Sequence, residues 1–224
     1  MNSNFFDKAR ANMVNNQLLP NGVKNLDLIE SFDNTKKELF VPDSEKEVVY
    51  SDSDILISKN RYLVRSFVLA KMFEHCSFSK DDSVLVIGCL TGYSVAIISN
   101  LVSYVFGVEN CKKLVEQANS ILSSMGCLNT SVFFKSNLIL GNNKNSPYDK
   151  IFIEGAVKSI PKVLVKQLKD NGEIYTVLKE DDYIGEFVRG QKVDSIISFT
   201  KLFNTNLYEL TDFIIQENDY EKSL

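Results

Sequence analysis

Val84-Leu85-Val86-Ile87-Gly88-Cys89-Leu90-Thr91-Gly92-Tyr93 joins an apolar run to a loop bounded by two glycines, and a helical pattern starts at once behind it. A strand that stops at a glycine and turns directly into a helix opens a Rossmann-like α/β sheet, the arrangement that meets nucleotide-type ligands. Two positions of the loop are unusual for that use. Val86 stands two before the first glycine, where an acidic residue is usual, and Leu90 stands where a middle glycine is usual. If position 90 takes a positive φ, a leucine there adds about 1–2 kcal/mol of strain.

Outward from this loop, residues 83–179 alternate strand and helix. Ser83–Ile87 and Tyr104–Val108 predict strands, the second ending at Glu109, with a helix over Tyr93–Leu101 between them. Leu114, Ala118, Ile121, Leu122 and Met125 recur at helical spacing, and Gly126 closes that helix as a C-terminal glycine. Ser131–Phe134 and Lys150–Ile153 predict further strands. Pro161 opens a helix carrying Val163, Leu164, Val165 and Leu168, Asn171-Gly172 ends it, and Glu173–Leu178 returns as a strand. Apolar strands alternating with helices imply a mostly parallel sheet covered on both faces.

Beyond residue 180, Glu186–Gly190, Ser195–Leu202 and Leu210–Ile215 predict short antiparallel strands at one edge of the sheet, and Glu217–Leu224 a frayed end. Before residue 80, helical segments at about 5–18 and 26–34 precede a loop-rich stretch through Arg61, expected to pack over the open end of the sheet as a lid or substrate-side layer. A single domain is the economical division: an N-terminal helical part (1–80), the core (81–180) and the edge strands (181–224).

The 224 residues suffice for one α/β domain with a sizeable core. Net charge is −4 and the pI about 5.2, which argues against a nucleic-acid partner. Basic pairs such as Lys36-Lys37 and Lys112-Lys113 are expected on solvated helix faces. Cys76, Cys89, Cys111 and Cys127 lack CxxC spacing and predict reduced, buried thiols, with no metal site, in a cytoplasmic protein. No apolar run approaches membrane-spanning length, so no membrane partner is expected. His75, the one histidine, falls near the end of a helical pattern, where a local role is favoured over a catalytic one. Histidine-dependent nucleophile systems are thereby made improbable.

In an open α/β sheet, ligands bind beyond the carboxyl ends of the central strands. Four segments meet there: the Gly88, Cys89, Leu90 and Gly92 loop; Glu109 with Asn110; Asn137 with Leu138; and Glu154 at the head of Glu154-Gly155-Ala156. A carboxylate at Glu109 can accept both hydroxyls of a ribose, or it can simply begin the next helix, where the dipole favours an acid.

Cys89-Leu90-Thr91-Gly92-Tyr93 is similar to the glycine-rich signature of class I methyltransferases, with one glycine replaced. Met13-Val14-Asn15-Asn16-Gln17-Leu18-Leu19-Pro20, Glu38-Leu39-Phe40-Val41-Pro42 and Val49-Tyr50-Ser51-Asp52 resemble segments of the protein-L-isoaspartate O-methyltransferases. Tyr148–Ala156, Ile160-Pro161 and Gln167–Gly172 match that family's later signatures in order, so the resemblance spans roughly residues 8–180. It implies transfer of a methyl group from S-adenosylmethionine to the side carboxylate of isoaspartyl residues in damaged proteins or peptides. It gives the ribose to Glu109, adenine to the Asn137 loop, and the acceptor to Arg61-Tyr62-Leu63-Val64-Arg65-Ser66.

Within that frame, Val64 offers no side-chain donor to an acceptor carboxylate, Leu90 is expected to reach toward the methionine moiety, and the aspartate expected at 137 is an asparagine. Losing one hydrogen bond to a charged group costs about 1.5–3 kcal/mol, roughly a ten- to hundredfold loss in affinity. Val86, Leu90 and Val64 together predict low cofactor affinity and weak or absent transfer. Arg61 and Arg65 bracket the acceptor segment and offer bidentate pairing with a carboxylate, although Arg65 alternatively just begins the 65–76 helix. The alternative reading is a methyltransferase fold kept as a non-catalytic binding or scaffold module. A nicotinamide-dependent oxidoreductase fails on the order of the glycines.

Overall fold

The computed structural model describes residues 3–180, 183–194 and 196–213. Helix α1 (Ser3–Met13) runs on through a π-helical turn at Val14–Leu18 and stops at Gly22, which holds a φ of 87°. Helix α2 (Leu26–Asn34) is capped by Asn25, whose side-chain oxygen accepts the Leu28 N–H at 3.1 Å. It packs against the helix behind the glycine loop, with Ser31 Oγ donating to the Ile97 carbonyl at 2.8 Å. Helices α1 and α2 thus form a side layer, while Arg61 of the same N-terminal part reaches the open end of the sheet at Glu109. The stretch expected to be loop contains a two-stranded ribbon, β1 (Ile55–Ser58) and β2 (Arg61–Leu63), before helix α3 (Ser66–Glu74).

The sheet follows. Strand β3 (Ser83–Ile87), helix α4 (Tyr93–Ser99), strand β4 (Tyr104–Glu109), helix α5 (Lys112–Ser124) and strand β5 (Thr130–Phe134) build one half. Strand β6 (Tyr148–Val157), the short helix α6 (Lys162–Val165) and strand β7 (Leu168–Leu178) build the other. Strands β8 (Glu186–Val193) and β9 (Ile196–Asn204) add an antiparallel edge. The order is β5-β4-β3-β6-β7-β8-β9, with the first five parallel. Chain direction diverges at β3, which puts a crevice beyond the carboxyl ends of β4, β3 and β6.

Successive β3 side chains divide between the two faces. Val84 and Val86 enter the larger core cluster with α4 and α5 residues such as Val95, Ile97, Leu114 and Ala118. Leu85 and Ile87 enter the second cluster with Val108, Ile151, Ile153 and Leu164. All four are fully buried, each contributing about 1.5–3 kcal/mol by leaving water. A strand buried on both faces must be apolar throughout, which is why its sequence is a continuous run.

Several elements differ from expectation. The Pro161 helix ends at Val165, and Leu168 instead opens β7 opposite Tyr148. The cause is Gln167, whose amide is fully buried and bonded to the Asn142 N–H and the Leu140 carbonyl, which turns the chain back into the sheet. Asn171-Gly172 sits in the register shift that follows, with Asn171 at φ 63°. The described part of the expected Leu210–Ile215 strand, Leu210–Phe213, is not an edge strand: Glu209 makes a single parallel bridge to Ala156, and Thr211–Phe213 forms a 3-10 turn lying on the crevice. Ile214, Ile215 and the Glu217–Leu224 end lie outside the described residues. Lys37 is no solvated lysine but wholly buried, and Cys111 and Cys127 are only half-buried. His75 caps the C-terminus of α3, its ring 5.5 Å from that of Phe203.

Candidate active site

The glycine loop is held from β4. Gly88 N–H and Cys89 N–H both donate to the Val108 carbonyl, at 2.9 and 3.3 Å. Gly88 (φ 78°), Leu90 (φ 51°) and Gly92 (φ 91°) all take left-handed backbone, so the leucine does carry the strain expected of it. The Leu90 side chain is buried in the larger core cluster. Gly92 is needed for space as well as φ, because a Cβ there would lie 3.3 Å from both Ala118 and Leu122 of α5. Thr91 Oγ1 donates to the Phe40 carbonyl at 2.6 Å, tying the loop to the Glu38–Pro42 segment.

Glu109 is fully buried at the end of β4. Its Oε2 accepts the Leu90 N–H at 3.0 Å, and Oε1 accepts the Asn110 and Cys111 N–H groups at 2.9 and 3.2 Å. Arg61, from β2, closes on the same carboxylate with a bidentate contact, 3.0 Å to Oε2 and 3.3 Å to Oε1. Its second nitrogen also donates to the Gly88 carbonyl at 3.0 Å. Glu109 is therefore no surface acid. The residue given to a ribose and the residue given to the acceptor are partners of each other.

The crevice above them is filled from the chain's own C-terminal side. The Leu210 side chain lies over both glycines that border it: a Cβ on Gly155 would come within 2.5 Å of Leu210 Cγ, and one on Gly88 within 3.3 Å of a Leu210 methyl. Asp212 accepts the Asn110 amide on both oxygens at 3.1 Å and the Leu138 N–H at 3.1 Å. Asn137 turns inward locally, its Oδ1 accepting the Ile139 N–H at 3.0 Å, while the Leu138 side chain is buried in the second core cluster. What stays open among Asp54, Arg61, Val64, Glu154, Gly155 and Leu210 is a cavity of about 10 Å³, room for one water. Larger space lies to the side, in a groove of about 600 Å³ between Phe40–Pro42, Ile57 and α5.

Of two buried titratable groups nearby, Glu154 lines that cavity and Lys37 lies behind its Val64 wall. Burial pushes the Glu154 carboxyl up to about 7, opposed by a short hydrogen bond from Ser94 Oγ to its Oε2 and by Arg61; its Oε1 has no hydrogen-bond partner among the described residues. Burial pushes the Lys37 ammonium down to about 7, opposed by Asp54 and Glu154. Lys37 donates to the Val64 carbonyl at 3.3 Å and Ser66 Oγ at 3.2 Å. Val64 is buried and presents no side-chain donor. Arg65 caps α3, its N–H on Asp54 Oδ1 at 2.9 Å and its Nε 3.8 Å from the same carboxylate.

The structure thus brings together Arg61, Gly88, Leu90, Glu109, Asn110, Leu138 and Glu154, and adds Leu210, Asp212 and Lys37, which sequence reasoning missed. Gly155 was the available signal, since a glycine beside a site residue marks a close approach. Nothing in the local sequence singles out Asp212.

Residues 9–211 match the profile of the protein-L-isoaspartate(D-aspartate) O-methyltransferase family. The "Protein-L-isoaspartate O-methyltransferase 2" of Shewanella sediminis is 32% identical over 167 residues, 75% of this chain and 68% of that one. A solved protein-L-isoaspartate O-methyltransferase superposes with a TM-score of 0.80 at 22% identity over 90% of this chain, which spans 65% of that one. A Plasmodium falciparum structure in complex with S-adenosyl-L-homocysteine gives 0.77 at 19% identity, covering 90% of this chain and 97% of that one. These structural likenesses carry the fold. The profile match includes β2, the glycine loop, Glu109, Glu154 and Leu210; the chain belongs to the protein-L-isoaspartate(D-aspartate) O-methyltransferase family.

Proposed function

We propose that the chain methylates the side carboxylate of isoaspartyl residues in damaged proteins or peptides, with S-adenosylmethionine as the donor. The observation that carries this reading is the family match over residues 9–211. Glu109 supports it, a buried carboxylate fixed by three backbone N–H groups beside the glycine loop.

As arranged, Arg61 stands where a ribose would reach Glu109. Arg61 saturates Glu109, Leu210 covers Gly88 and Gly155, Asp212 takes the Asn110 amide and the Leu138 N–H, and about 10 Å³ is left. Activity on this reading requires Arg61 to leave Glu109.

On the acceptor side, a carboxylate is already ionised at neutral pH. No proton has to be removed, and the site's task is alignment and exclusion of water. Val64 cannot hold the acceptor through its side chain, and its carbonyl is taken by Lys37. Arg65 is the group assigned to the acceptor carboxylate. Its side chain is about one-third exposed, its Nε is turned toward Asp54 at 3.8 Å, and the guanidinium's other nitrogens can pair with a carboxylate in bidentate geometry. We assign the protein to the cytoplasm, where thiols such as its four free cysteines remain reduced. No helix among the described residues is long and apolar enough to cross a membrane.

The test is methyl incorporation from labelled S-adenosylmethionine into an isoaspartyl peptide and its aspartyl counterpart. The expected product is a base-labile ester on the isoaspartyl peptide alone. No label on either peptide, with enzyme and peptide at equal concentration, would overturn the reading.

A further inference from the structure

We propose that Glu154 is the counter-ion for the α-ammonium group of the methyl donor, and that its carboxyl gives up a proton to solvent when the donor binds. The proposal rests on the methyltransferase reading above and deepens it, by assigning the donor's amino-acid end to a residue of this chain.

The order of the sheet sets where that end lies. The family resemblance gives adenine to the loop after β5 and the ribose to Glu109 at the end of β4; the next strands in line are β3 and β6. Val86 and Phe152 are paired across those two strands, and both side chains enter the larger core cluster with the residues of α4. Glu154, two residues on from Phe152, faces the same way, and accepts a short hydrogen bond from Ser94 Oγ of α4. Val86 brings no charge to this face, and Glu154 brings a carboxyl to it from the neighbouring strand.

That carboxyl is free to take a cation. Ser94 occupies Oε2, while Oε1 is buried with no hydrogen-bond partner among the described residues. Asp54, Arg61 and Glu209 share the cavity wall with Glu154, beside Tyr62 and Tyr208. The first three already have ion-pair partners, in turn Arg65, Glu109 and Lys179. Arg61, Glu109 and Lys37 act on Glu154 through their charges. Burial keeps its carboxyl protonated up to about 7, which avoids an unpaired charge in the interior. An ammonium donating to Oε1 supplies the opposite charge and draws the carboxyl into its ionised form. The ammonium keeps its own protons, and the carboxyl proton goes to solvent.

The experiment is calorimetric titration at pH 7 in two buffers of different ionisation enthalpy, which counts the protons released on binding. S-adenosyl-L-homocysteine carries the ammonium; methylthioadenosine, the same nucleoside without the amino-acid end, is the control ligand. The parent is expected to release about half a proton with S-adenosyl-L-homocysteine and none with methylthioadenosine. Glu154→Gln is expected to release none with either ligand. It should bind S-adenosyl-L-homocysteine about tenfold more weakly or worse, and methylthioadenosine as the parent does. Release that persists in the variant points to Lys37, the other group titrating near 7, and overturns the assignment. Equal affinity of parent and variant for S-adenosyl-L-homocysteine, or equal release with the two ligands, overturns it too. Each of those results leaves the methyltransferase reading standing, whereas binding of neither ligand by the parent overturns both. Should the variant fail to fold, the comparison of the two ligands on the parent decides alone.

Discussion

Replacing Glu109 by glutamine keeps its shape and removes one acceptor and the charge. Five N–H groups converge on its two oxygens: Leu90 and Arg61 on Oε2, and Asn110, Cys111 and Arg61 on Oε1. However the amide is turned, its NH2 must face at least one backbone N–H and one guanidinium nitrogen. The less damaging orientation puts it at Oε2, orphaning the Leu90 N–H in a position that is already strained. A buried donor left unsatisfied costs about 1–3 kcal/mol, and breaking a buried ion pair about 3–5 kcal/mol. The second figure is reduced because the Arg61 side chain, 15% exposed, has an outlet toward solvent. Glu109→Gln is therefore expected to lose about 3 kcal/mol, which for a chain of this size lowers Tm by roughly 6–12 °C. Arg61→Ala should lose less, since three backbone donors still hold Glu109. Urea unfolding followed by circular dichroism measures both, with Glu116→Gln on the exposed face of α5 as the control expected to stay within about 0.5 kcal/mol of the parent. A Glu109→Gln loss below about 1 kcal/mol would refute the claim that this carboxylate organises the site.

Glu154 makes stability depend on pH. Its folded carboxyl titrates near 7 against a usual 4.5. Below the lower value both states are protonated and its burial carries no ionisation penalty. As pH rises toward 7 the unfolded chain ionises first, and the fold loses about 3 kcal/mol by pH 8. Glu154→Gln should cancel that loss, so the difference between variant and parent should grow from pH 4.5 to 8; a constant difference would contradict the buried, protonated carboxyl. Val86→Asp restores the acid usual at that position, yet Val86 is fully buried between β4 and β6 in the apolar cluster. It should destabilise by about 3 kcal/mol or more in the same urea assay, because an unpaired carboxyl would be desolvated there, and an unchanged midpoint would show that the cluster tolerates the acid.

The parallel core was legible because its strands are covered on both faces: Ser83–Ile87 and Tyr104–Glu109 are apolar runs bounded by turn residues. The same logic failed at Leu210–Phe213. Leu210 and Phe213 are apolar because they belong to the second core cluster, not because they line a sheet face. A short run does not reveal which surface buries it. Lys36-Lys37 looked like a solvated pair, and only the fold reveals that Lys37 runs inward to the Val64 carbonyl and Ser66. For the site, sequence placed Glu109 and the glycine loop together and gave Arg61 a carboxylate to pair with. It could not say that the carboxylate is Glu109, because β2 and β4 are brought together only by tertiary packing. A positive φ at Leu90 stood as a condition, raised by the glycine usual at that position, and the structure meets it. The Leu90 N–H bond to Glu109, which offsets part of the strain, was not anticipated.

Arg61 stands on the carboxylate that the family reading gives to the cofactor's ribose. Calorimetric titration of the unaltered protein and of an Arg61→Ala variant with S-adenosyl-L-homocysteine tests this most directly. Tighter binding by the variant is predicted, because three backbone N–H groups still hold Glu109 in place. Equal or weaker binding by the variant would contradict it.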